Sequence, residues 1–216
     1  MDKDCLHKRI IISSLFAIAM AYLEAAIVVY LRENYYLSGF DLTLAQIPDR
    51  IYFTEVGREI ATIIMLYAYA YTIGKNGREI FAYFAFNFGI WDIGYYIWLK
   101  VLINWPTTLL DGDILFLIPL PWAGPVLAPI LISIALIAAA YFILKFERLD
   151  KPIRLTKYDW GMEIIAAFIL IFSFIFQTPN MQEMIITVNY PWWLFGCGLT
   201  LGLYTFGRRV FEAYRQ

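Results

Sequence analysis

The sequence predicts an all-α protein, a polytopic membrane bundle of six transmembrane helices with both termini cytoplasmic. Three observations carry this. The chain is 61% hydrophobic and 16% charged, against about 45–50% and about 25% in soluble domains. Its apolar residues gather into six runs, each near the roughly 20 residues a helix needs to cross a bilayer. Its basic residues collect on one side. Lys3, Lys8, Arg9, Lys75, Arg78, Lys145, Arg148, Lys151, Arg154, Lys157, Arg208, Arg209 and Arg215 make up 13 of the 17 lysines and arginines. The positive-inside rule makes that side the cytoplasm. An even number of spans also returns the C-terminus to the side of the N-terminus, so count and charge agree.

The first span covers about 10–31. Its start imitates a secretory signal ending at Ala19-Met20-Ala21. The apolar run continues through Val28-Val29-Tyr30-Leu31, past the roughly 7–15 residues of a signal's apolar region, so an uncleaved helix is expected. Ala17, Ala21 and Ala25 form a small-residue stripe that permits close helix approach, and Glu24 lies beside it. The second span, about 51–73, carries Glu55, Arg58 and Glu59. Their i,i+3 and i,i+4 spacing puts all three on one side of the helix. Tyr67, Tyr69 and Tyr71 near its far end read as interface residues rather than a stacking site. The third span, about 80–102, carries Asp92, with Tyr95, Tyr96 and Asn87 as donors for its carboxylate.

Between spans three and four the chain holds an apolar stretch at 114–124, rich in proline and tryptophan. It is too short to cross a membrane, and Pro119, Pro121 and Pro125 oppose a continuous helix. An interfacial or re-entrant segment is expected: a covering for the outer half of the bundle or, slightly favoured, an anchor among the head groups. Trp105, Trp122, Trp192 and Trp193 match an aromatic belt at the outer interface. The fourth span covers about 125–144 and the fifth about 158–177. The basic loop between them suits anionic lipid heads, and Glu163 is expected to reach cytoplasmic water or a basic loop residue. Met181–Val188 reads as a short amphipathic surface helix. The sixth span, about 191–206, carries Gly198 and Gly202 as a packing notch. The whole of 1–216 reads as a single integral membrane domain, placed in the cell (inner) membrane.

Function is read from the embedded charges. Lipid is a poor solvent for charge, so ionisable residues inside spans face a protein interior or a wet cavity and mark functional sites. At 1.5 Å of rise per residue, Glu24 lies roughly 10 Å below the outer end of its span, Arg58 and Glu59 about 10–12 Å, and Asp92 roughly 15 Å. The candidate ligand- or ion-binding residues are therefore Glu24, Glu55, Arg58, Glu59, Asp92, Tyr95 and Tyr96. Four acids face one base, so pairing alone leaves three carboxylates unbalanced. The competing structural reading has Arg58 locking the bundle by pairing with Glu24 or Asp92.

Oxygen ligands alone would suit Mg²⁺, Ca²⁺ or Mn²⁺, but the only histidine, His7, precedes the first span. No metal and no cofactor is assigned. Cys5 and Cys197 are far apart and make no disulfide framework. A net charge of −1 argues against a nucleic-acid partner. The expected partners are the lipid bilayer, a small cation or amphiphilic ligand, and a membrane-protein partner or second copy. The leading function is binding or transport of a cation, a proton or the polar head of an amphiphile. One alternative is a non-catalytic subunit or assembly factor of a larger membrane complex. Another is a membrane enzyme using carboxyl acid–base chemistry on a lipid-like substrate, for which no catalytic residue stands out.

Overall fold

The computed structural model describes residues 3–35, 48–118, 120–176 and 190–215. Its elements in chain order are α1 (Lys3–Tyr35), α2 (Asp49–Ile73), α3 (Gly77–Ile103), β1 (Gly112–Phe116), β2 (Trp122–Pro125), α4 (Leu127–Arg148), α5 (Lys157–Ile175) and α6 (Trp192–Arg215). Helix dominates, as the periodic apolar runs predict. Among the described residues α1, α4 and α5 are long and apolar enough to cross a membrane. The helices α2, α3 and α6 have 25, 27 and 24 residues, which is sufficient length. Their polar content lowers their hydropathy: Glu55, Arg58 and Glu59 in α2, Asn87 and Asp92 in α3, Arg208 and Arg209 in α6. Two helices outrun their sequence limits the most. The 33-residue α1 continues to both sides of 10–31, and α6 runs on to Arg215, because nothing in the flanking polar residues breaks a helix.

Local signals set the other ends. The Asn76 side chain accepts from the amides of Arg78 and Glu79 and starts α3. Asn104, at φ 54°, closes it in the left-handed conformation that asparagine tolerates. A capping box between Thr156 and Asp159 starts α5.

Small residues set the close approaches. Ala17, Ala21 and Ala25 are fully buried, and a Cβ added at Gly94 of α3 would lie 2.9 Å from the Ala21 Cβ. At Gly89 it would lie 2.7 Å from the Ser133 carbonyl oxygen of α4. Gly198 meets the Ala166 carbonyl of α5 at 3.1 Å in the same way, which is the notch expected there. The helices alternate in direction, so one end of the bundle gathers the basic residues. At this basic end Arg9 donates to the Ile73 carbonyl at 2.8 Å, Arg78 pairs with Glu147, and Lys145 donates to the Tyr214 hydroxyl.

Two expectations are adjusted here. The basic residues Arg208 and Arg209 donate to Asp159, at 2.5 and 2.7 Å, and no basic loop residue pairs with Glu163 among the described residues. Glu163 instead points at the Gly202 notch, where its Oε2 would lie 3.2 Å from an added Cβ. Tyr69 is a stacking residue, its ring lying 4.3 Å from that of Phe16 and nearly parallel to it. Met181–Val188 lies outside the described residues.

The proline-rich segment is a β-hairpin at the opposite end. β1 and β2 pair antiparallel, with Gly112 opposite Pro125, Asp113 opposite Gly124, Ile114 opposite Ala123 and Phe116 opposite Trp122, and a bulge at the last step. Pro125 can sit here because the ribbon has only two strands. The hairpin does not lie flat across the bundle. Asp113 meets Arg32 near the end of α1, and four residues on, Leu117 meets Glu59 inside the bundle. Four extended residues cover about 13 Å, which matches the depth of Glu59 below the start of α2. Trp122 is half-buried and stacked on Phe174 of α5.

Candidate functional site

α1, α2, α3 and β1 enclose a cavity of about 70 Å³. Its polar lining is Glu24 of α1, Arg58, Glu59 and Thr62 of α2, Asp92, Tyr95 and Tyr96 of α3, and Asp113 of the hairpin. Each side chain arrives by helical arithmetic. Arg58, Glu59 and Thr62 occupy one stripe of α2 at i, i+1 and i+4. Glu24 is carried inward by the alanine stripe beside it. Phe116 closes the apolar side, its ring 6.4 Å from those of both Phe88 and Trp91.

The carboxylates find different partners. Arg58 pairs with Glu24 across the α1–α2 seam and donates to Glu55 Oε2 from Nη2 at 2.6 Å and from Nε at 2.7 Å. The Thr62 hydroxyl reaches the other Glu24 oxygen at 3.4 Å. Glu59 takes the backbone amide of Leu117 at 3.0 Å on both oxygens, so the hairpin itself supplies its donor. Asp92 accepts from the Ser133 hydroxyl of α4 at 2.8 Å. Asp113 lies 3.8 Å from Arg32, and Arg32 covers the Trp105 ring at 3.9 Å.

The structure thus brings six of the seven sequence-nominated residues to one cavity: Glu24, Arg58, Glu59, Asp92, Tyr95 and Tyr96. Glu55 stands one turn nearer the hairpin end and joins only through Arg58. Of the two partners expected for Arg58, the structure has Glu24 and not Asp92. One assignment changes. The donor to Asp92 is Ser133 rather than Asn87 or the tyrosines. Five residues along a helix is roughly 140° of rotation, so Asn87 faces away from Asp92, and the Tyr96 hydroxyl serves Asp113 instead.

Sequence reasoning missed Arg32, Thr62, Trp91, Asp113, Ser133 and the hairpin amide. Thr62 was legible, being i+3 from Glu59. Arg32 and Asp113 were not, because their pairing depends on how the hairpin folds back. Among the described residues no three His, Cys, Asp or Glu side chains converge closely enough to hold a metal ion.

Five carboxylates therefore share two guanidiniums: Arg58 serves Glu24 and Glu55, Arg32 serves Asp113, and among the described residues Glu59 and Asp92 have no ion-pair partner. Such a surplus in a place of low dielectric attracts small cations or protons. Volume sets the size limit: a water needs roughly 10–15 Å³, so the space admits a few waters or an ion. No protein-family profile, no curated protein and no solved structure matches this chain.

Proposed function

We propose that this chain is a multi-pass protein of the cell (inner) membrane. All six helices span, the basic end with both termini faces the cytoplasm, and the acidic cavity opens toward the outer side as a binding site for protons or small cations. The hairpin is then a re-entrant element, acceptable at membrane depth because protein covers it. The observation that carries the reading is a cavity of about 70 Å³ lined by four carboxylates, two of which, Glu59 and Asp92, have no ion-pair partner among the described residues. Trp91 strengthens it. The residue is 6% exposed and lines the cavity, yet its indole N–H meets no acceptor among the described residues. A water in the cavity would satisfy it. A head group of many atoms has no room, so the amphiphile is the weaker cargo.

The test is infrared difference spectroscopy on purified protein in detergent, titrated with acid and separately with Na⁺ or K⁺. Protonated-carboxyl bands should appear on acidification and be altered in Glu59→Gln and Asp92→Asn. A cation that competes should shift the titration. A spectrum in which neither variant changes any carboxyl band would overturn the assignment.

A further inference from the structure

Polar groups continue from the cavity toward the basic end. Ser13 of α1 and Asn87 of α3 are both fully buried. Ser13 Oγ, both polar atoms of the Asn87 amide, the Tyr69 hydroxyl and the Trp91 indole N–H meet no hydrogen-bond partner among the described residues. Leaving such groups dry is costly, and buried polar atoms nearly always have a protein or water partner.

These groups form a sequence of levels. Gly94 and Ala21 touch and fix the register of α1 on α3. Seven residues back along α3 is Asn87, and eight back along α1 is Ser13. Both lie roughly 10–12 Å nearer the basic end than that contact. Asn87 also falls between the directions of Trp91 and Gly94 around α3, so it faces α1. The stacking of Tyr69 on Phe16 brings α2 to the same region, one turn from Ser13. Trp91 spans the step between Asn87 and the cavity. Between the two polar regions lies an apolar cluster in which Leu66, Ala17 and Met20 join Trp91, with Phe84 and Phe88 packed against it.

We propose that this seam is a hydrated track and that the protein passes protons between the acidic cavity and the basic end. The proposal rests on the cavity binding protons and adds a way out of it. Asn87 and Trp91 carry no proton themselves. They hold waters along which it moves, with the Ser13 and Tyr69 hydroxyls as further stations. One proton enters at the cavity for each one released at the basic end, so no co-reactant is needed. Leu66 and Met20 are the narrow point.

The experiment reconstitutes the full chain in liposomes with a trapped pH dye, acid outside and the membrane potential clamped by valinomycin and K⁺. The expected dye response is several-fold faster than in protein-free vesicles. Asn87→Leu and Ser13→Val should each slow it several-fold, while Leu66→Ala, which thins the apolar layer, should speed it. The carboxyl infrared bands of Asn87→Leu should match the parent protein. Flux equal to empty vesicles, with those bands present, overturns the track and leaves the cavity intact. Bands that do not respond to Glu59→Gln or Asp92→Asn overturn the cavity itself. If Asn87→Leu does not fold, Ser13→Val and Leu66→Ala decide: flux unmoved in both overturns the track.

Discussion

Arg58→Leu removes the cation that ties α1 to α2 inside the cavity. Its side chain is 19% exposed and those of Glu24 and Glu55 are 12% and 10%, so both ion pairs are largely out of water. Removing one partner of a buried pair costs about 3–5 kcal/mol, because the other charge is stranded. Residual exposure places the loss at the low end, about 3 kcal/mol. For a chain of this length each kcal/mol moves the melting temperature by about 2–4 °C, which gives a fall of about 6–12 °C. Glu55→Gln leaves Arg58 paired with Glu24 and an amide oxygen facing the guanidinium. Its expected cost is about 1 kcal/mol. The double variant Glu24→Gln, Arg58→Leu should recover part of the loss, since fewer stranded charges remain. The assay is thermal unfolding in detergent at neutral pH. Equal melting temperatures for Arg58→Leu and Glu55→Gln would refute the reasoning.

Other outcomes follow from single contacts. Ser133→Ala strips Asp92 of its hydroxyl donor and should cost about 1–3 kcal/mol in detergent melts; an unchanged melt would show that Asp92 is satisfied in another way. Gly94→Val drives a side chain into Ala21 and should cost about 1–3 kcal/mol by separating α1 from α3, with Gly57→Val, which meets nothing within 4 Å, as the control. Asp111 gives a pH test outside the spans. Partial burial pushes its pKa up, but hydrogen bonds from Thr108 and Thr107 outweigh this and hold the carboxyl below its ordinary value. A lowered acid pKa stabilises the fold above the ordinary value and loses that contribution as pH falls through the folded one. Asp111→Asn should therefore melt lower than the parent at pH about 7, with the gap closing toward pH about 3.

Much of the helical architecture was legible because apolar runs and basic residues report on the same boundaries. Depth arithmetic brought Glu24, Arg58, Glu59 and Asp92 to one level, since helical rise is nearly invariant. Rotation was less secure. Asn87 was taken as a partner of Asp92 although five residues turn it to another face. The hairpin was illegible for a different reason. Pro119, Pro121 and Pro125 argue against a helix without saying what replaces it, and a two-stranded ribbon takes its register from cross-strand contacts such as Phe116 with Trp122. Ser133 and Arg32 meet their partners only through tertiary packing, 41 residues apart for Ser133 and Asp92. Asp159 drew no attention in the sequence, because its pairing with Arg208 and Arg209 joins α5 to α6 and exists only in the fold.

The amide of Leu117 that serves Glu59 is made 58 residues later in the chain. On the six-span reading, α2 enters the translocon before its shield exists. A carboxylate at a span's centre carries an insertion cost of about 2.5–3.5 kcal/mol. Arg58 and Glu24 are already synthesised by then, so α1 and α2 can enter as a neutralised couple. Glu59 has no such escort and waits for the hairpin. Biogenesis should thus stall in truncations that stop before residue 117, even though every helix preceding the cut is intact.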